Sequence, residues 1–69
     1  MKETIIKTAK AVGFEIEFER APQRLIRFHR DHIRLDVWMS GTVGVYEDGN
    51  QRFVKGLSLG EIVEFIVNL

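Results

Sequence analysis

From Ile33 to Gly49 the chain reads I-R-L-D-V-W-M-S-G-T-V-G-V-Y-E-D-G, and the alternation in this run constrains the fold more than any other feature. Ile33, Leu35, Val37 and Met39 share one face of an extended strand, with Arg34, Asp36 and Trp38 on the other. After Ser40-Gly41, Val43 and Val45 continue the apolar face, while Gly44 and Tyr46 stay with Trp38. An antiparallel sheet with one buried and one wet face produces this pattern. It also leaves a Trp and a Tyr on the wet side.

The flanking segments extend the same logic. Phe14, Ile16 and Phe18 alternate with Glu15, Glu17 and Glu19, and Ala21-Pro22-Gln23 then breaks the chain. Ile26 and Phe28 resume one face, with Arg27 and His29 on the other. A hairpin that sets Phe18 against Ile26 and Ile16 against Phe28 also sets Glu17 against Arg27 and Glu15 against His29. A slip by one residue would bury glutamates. With Asp31-His32 as a tight turn, Phe28 meets Leu35, Ile26 meets Val37 and Arg27 meets Asp36. With Ser40-Gly41-Thr42 as a loop, Met39 meets Val43, Val37 meets Val45, and Trp38 covers Gly44. Asp48-Gly49-Asn50 signals a further turn, after which Phe53 returns beside Val45 and Arg52 beside Tyr46.

Helices are expected at both ends. Ile5, Ile6, Ala9 and Val12 form a stripe over residues 2–12, Glu3 and Lys7/Lys10 suit the helix dipole, and Gly13 offers a left-handed stop. Ser58-Leu59-Gly60-Glu61 fits a capping box, with Leu57 and Ile62 as a hydrophobic staple. In the helix that follows, Leu59, Ile62, Val63 and Ile66 make a core stripe that Phe65, Val67 and Leu69 widen. That is more apolar surface than one sheet face requires.

The expected fold is therefore α+β, one domain over residues 1–69: an antiparallel four- to five-stranded meander with an N-terminal and a C-terminal helix packed on one face. The expected core is Ile5, Ala9, Val12, Phe14, Ile16, Phe18, Ile26, Phe28, Leu35, Val37, Val43, Val45, Phe53, Leu59, Ile62, Val63 and Ile66. At 69 residues the chain is near the lower limit for folding alone and buries only about 60% of its unfolded surface. It has no cysteine to staple it. Ten basic residues balance ten acidic ones, so no overall field draws it to nucleic acid or membrane. No apolar run approaches a membrane span, and the first residues lack the apolar core of a secretory signal, so a cytoplasmic location is expected.

The wet face sets Glu17, Arg27, Asp36, Tyr46 and Arg52 in one row, with Leu25, Trp38 and Gly44 beside it. The bland reading is a ladder of cross-strand charge pairs, each contributing about 0.2–1 kcal/mol. The functional reading is a recognition surface of Arg27, Arg34, Trp38, Tyr46 and Arg52, residue types enriched at binding hot spots. A rival is single-stranded nucleic-acid binding, with bases stacked on Trp38 and Tyr46. Five arginines and two histidines against Asp31 between Arg20 and Arg34 favour it, and the neighbouring Glu15, Glu17 and Glu19 oppose it. The second candidate surface is Phe65, Val67 and Leu69 of the last helix, most simply as a two-fold homodimer contact.

Catalytic chemistry is not indicated. His29, Asp31 and His32 flank a turn and do not supply three converging ligands, so no metal site is expected. No nucleophile can be placed with a base, and no phosphate-loop pattern occurs. The reading is a non-enzymatic interaction module, without cofactor or small-molecule substrate, acting by protein contact or self-association.

Overall fold

The alternation is realised as one sheet whose strands follow chain order. In the computed structural model, which describes residues 2–22 and 24–69, α1 (Lys2–Ala11) precedes β1 (Glu15–Arg20), β2 (Leu25–Arg30), β3 (Ile33–Trp38), β4 (Thr42–Glu47) and β5 (Asn50–Val54), and α2 (Leu59–Val67) closes the order. All four strand pairs are antiparallel, in the order β1-β2-β3-β4-β5. Of the chain break expected at Ala21-Pro22-Gln23, Gln23 lies outside the described residues.

One face of the sheet supplies Ile26, Phe28, Leu35, Val37, Val43 and Val45 to a single buried cluster with Ile5 and Ala9 of α1, Phe14, and Ile62 and Ile66 of α2. Both helices therefore cover the same face. Each fully buried aliphatic or aromatic side chain contributes about 1.5–3 kcal/mol over its exposed state. Val12, Ile16 and Leu59 pack on this cluster from partly buried positions, and Val63 is half-buried.

The helix ends are satisfied locally. Ser58 caps α2: the Glu61 N–H donates to Ser58 Oγ at 3.2 Å, and the Ser58 N–H donates to Glu61 Oε1 at 2.9 Å. Leu57 packs on the buried cluster to which Ile62 belongs, in keeping with the expected staple. Arg30 serves both helices. Its guanidinium donates to the carbonyl of Val12 at 2.6 Å and of Leu69 at 3.0 Å while lying 4.4 Å over the Phe14 ring. Carbonyls left over beyond the last turns thus find a cation.

The β2–β3 register is the expected one, with Phe28 opposite Leu35, Ile26 opposite Val37 and Arg27 opposite Asp36. The other three pairings differ from expectation. Between β3 and β4 the loop is Met39-Ser40-Gly41, so Val37 meets Val43, Leu35 meets Val45 and Trp38 meets Thr42. A shift of two residues leaves every side chain on its face. Gly41 explains the choice: it sits at φ +110°, and a Cβ there would lie 2.7 Å from the Leu57 carbonyl oxygen. Its own carbonyl accepts the Leu57 N–H at 2.9 Å.

In β1 a bulge falls between Ile16 and Phe18. Glu15 opposite His29 and Ile16 opposite Phe28 hold, but Phe18 then faces Arg27 and Glu19 faces Ile26. The extra residue flips everything beyond it. Phe18 leaves the expected core for the open face, and Glu17 loses its place opposite Arg27. Glu19 swings to the helix side, where Lys2 Nζ meets it at 3.0 Å in an exposed ion pair, so no glutamate is buried.

At the other edge the turn has two residues, not three. Asp48 (φ +52°) and Gly49 (φ +80°) connect Glu47 to Asn50, the two positive φ values that give a hairpin its favoured twist. Phe53 consequently faces Gly44 and Arg52 faces Val45. Phe53, expected in the core, is 50% exposed on the open face. Arg52 moves to the helix side.

Candidate functional site: the uncovered sheet face

Alternation places Arg27, Asp36, Gly44 and Phe53 on the face that neither helix covers, and the bulge adds Phe18 at the end of that row. On one side runs a second row of Arg20, Leu25, Trp38 and Thr42. On the other side His29, Arg34, Tyr46 and Gln51 are aligned.

The centre is an ion pair. Arg27 Nε donates to Asp36 Oδ1 at 2.7 Å and Nη2 donates to Oδ2 at 3.2 Å, a two-pronged contact of matched planes. Asp36 is only 4% exposed and is the one buried charged residue described. Its charge is tolerable there because Arg34 Nε also approaches, 3.7 Å from Oδ2. The Asp36 hydrogen bond raises the Arg27 pKa above its ordinary value, outweighing the opposing effect of burial. Arg27 is charged at every working pH.

Around this pair the rings are already packed against cations. Arg27 and Arg20 lie over Phe18, at 4.7 and 5.3 Å from its centroid, and Arg34 lies 5.0 Å over Tyr46. The Trp38 and Phe53 rings stand 6.0 Å apart, tilted by 53°. Both lean over Gly44, where a Cβ would come within 2.8 Å of Phe53 and 3.4 Å of Trp38. Rings covering a strand glycine restore the packing its missing side chain forfeits. Trp38, Phe53, Ser40, Thr42 and Lys55 border a shallow trough of about 340 Å³.

Of the residues expected to bind, Arg27, Arg34, Trp38 and Tyr46 therefore share one surface. Arg52 does not belong to it. Its guanidinium lies 5.8 Å over the Phe65 ring on the helix side, in a groove of about 420 Å³ with Leu57, Glu61, Glu64, Asn68 and Leu69. Val67, 55% exposed, lies about 160° around the helix from Phe65. Phe65 and Leu69 thus line one groove, and Val67 stands apart from them.

Phe18 and Phe53 are the two aromatic members that alternation assigned elsewhere. Phe53 had a signal: Asp-Gly favours a two-residue hairpin turn, and counting only those two residues turns Phe53 outward. No residue in β1 announces its bulge.

The histidines do not converge. His29 stands exposed on the open face, opposite Glu15 and Arg34. His32 Nε2 instead lies 3.3 Å from Glu47 Oε2 and 3.8 Å from Asp48 Oδ2, and all three residues are exposed. An exposed pair of this kind contributes little.

No family model matches this chain, and no curated protein or solved structure shows significant similarity to it.

Proposed function

We propose that this domain is a non-enzymatic interaction module whose working surface is the uncovered sheet face, docking a protein partner. The observation that carries the reading is the Trp38–Phe53 pair, held over Gly44 on the sheet face opposite the helices. Large rings with few torsions give contact area at low entropic cost, and these two already pack against each other. Arg27 and Arg34 add hydrogen-bond donors already oriented by Asp36 and Tyr46. A partner with an apolar ridge flanked by carboxylates or carbonyls fits such a surface.

Nucleic-acid binding is the weaker reading. Phosphate contacts draw on free positive charge, whereas Arg27 is neutralised by Asp36. The test is capture from native lysate with wild-type protein and Trp38→Ala, before and after nuclease treatment. Retention through nuclease, insensitive to salt and lost in Trp38→Ala, is expected. Capture that vanishes with nuclease and falls steeply with salt favours the nucleic-acid reading. Capture unchanged in a folded Trp38→Ala variant removes this face altogether.

A further inference from the structure

The two edges of the sheet are not equally protected. β1 carries a bulge, three glutamates and the Lys2–Glu19 ion pair, all devices that keep an edge from pairing with another chain. β5, Asn50-Gln51-Arg52-Phe53-Val54, shows no bulge against β4 and has one charged residue. Because Glu47 and Asn50 close a two-residue hairpin, they form a hydrogen-bonded pair, as do Arg52 with Val45 and Val54 with Val43. The backbone N–H and C=O groups of Gln51 and Phe53 therefore point out of the sheet. The trough of Trp38 and the groove of Phe65 border this strand on opposite faces.

We infer that β5 pairs antiparallel with β5 of a second copy of this chain, joining two sheets into one of ten strands. A two-fold axis normal to the sheet matches inner face to inner face, so residues meet only when their numbers differ by an even amount. Centring the pairing on Arg52 would oppose two guanidinium-bearing residues and is disfavoured. Centring it on Phe53 removes that conflict. Phe53 then faces the partner's Phe53 on the open side, and Arg52 faces the partner's Val54 on the helix side. In this register Gln51 and Phe53 present their free backbone groups to the partner's Lys55 and the partner's Phe53.

The same operation explains two loose ends. It extends the Trp38–Phe53 pair into a four-ring row across the axis. It also brings the groove flank of α2, with Phe65 and Leu69, toward its symmetry mate, covering apolar surface that one sheet face leaves over. The pairing shares Phe53 with the docking proposal above but rests on the β5 backbone, so Gln51→Pro tests the pairing and Trp38→Ala the docking face.

The test is the mass in solution, by sedimentation over a concentration series, together with amide hydrogen exchange. Wild-type protein is expected at twice its 8.0 kDa chain mass, with the Gln51 and Phe53 amides slowing as concentration rises. Gln51→Pro removes an N–H aimed at the partner and none aimed at β4, and is expected to weaken the dimer at least tenfold. Exchange in the wild-type chain decides the matter even if that variant fails to fold. A chain that stays at 8.0 kDa up to about 1 mM overturns the inference. So does a dimer in which the Gln51 and Phe53 amides exchange freely. A dimer abolished by Trp38→Ala and untouched by folded Gln51→Pro overturns it too, and assigns self-association to the open face.

Discussion

β2, β3 and β4 keep the faces that alternation assigns them, whereas β1 and β5 each turn one phenylalanine, Phe18 and Phe53, from the helix side to the open side. The difference follows from the number of neighbours. A central strand is held in register from both sides, and sliding it would eject Phe28 or Leu35 from a fully buried site. An edge strand answers to one neighbour. A single inserted residue in β1, or a turn one residue shorter before β5, costs little there. Both changes gain a place for the ring, Phe18 beneath two guanidiniums and Phe53 against Trp38. The open face, and with it the candidate site, is built largely by what the edges were free to do.

Mutation of matched aromatics tests that contrast most severely. Phe28→Ala is expected to cost about 3–5 kcal/mol, enough to unfold most of a domain this small, whereas Phe53→Ala should cost about 1 kcal/mol or less. Urea titration of both variants measures the gap, and equal losses would erase the distinction between centre and edge.

The Arg27–Asp36 pair asks whether the open face of the central strands is held as firmly as their buried face. Asp36→Ala takes the hydrogen-bond acceptor from Arg27 and the nearby countercharge from Arg34, and is expected to cost about 1–3 kcal/mol. Combined with Arg27→Ala, the double-mutant cycle should show clear coupling. Additive losses would mean that the ion pair contributes nothing to the register.

The link from β5 into α2 rests on Ser58. Ser58→Ala is expected to lower stability by about 0.5–2 kcal/mol, read as a drop in melting temperature. The effect depends on pH. Hydrogen bonds from the Ser58 backbone and side chain hold Glu61 below its ordinary value of 4.5. A carboxylate so lowered contributes stability that is complete above 4.5 and is lost as pH falls through the folded-state value. The gap between wild type and Ser58→Ala should therefore narrow as pH falls below 4.5 and through that lowered value.

A comparably small effect is expected at the glycine beneath the two rings. Gly44→Ala drives a methyl group into Phe53, but that ring is half-exposed on an edge and can swing aside, so the loss should be about 1 kcal/mol. In a Phe53→Ala background most of that loss should vanish. A penalty unchanged in the double variant would show that Gly44 is constrained by its backbone and not by the ring above it.

Much of this was legible in the residues. Ile33 to Val45 announced its inner and outer faces, Ser58 and Glu61 announced the start of α2, and Asp31-His32 set the β2–β3 register as expected. These are short-range signals, in which a period of two or a three-residue spacing has one physical reading. The placement of Arg27, Arg34, Trp38 and Tyr46 on one surface followed from the same period.

What tertiary structure alone decided is the position of groups whose register can move by one. Phe18 and Phe53 joined the open face, and Arg52 left it for Phe65, because in a strand one residue more or less reverses every side chain beyond it. The sequence determined which strands exist and which of their faces is apolar, since burial of Phe28, Leu35 and Val37 admits one answer. The packed molecule chose between nearly equal registers at the edges. There the balance lies among a few contacts, with Lys2, Arg20 and Trp38, that no local pattern encodes.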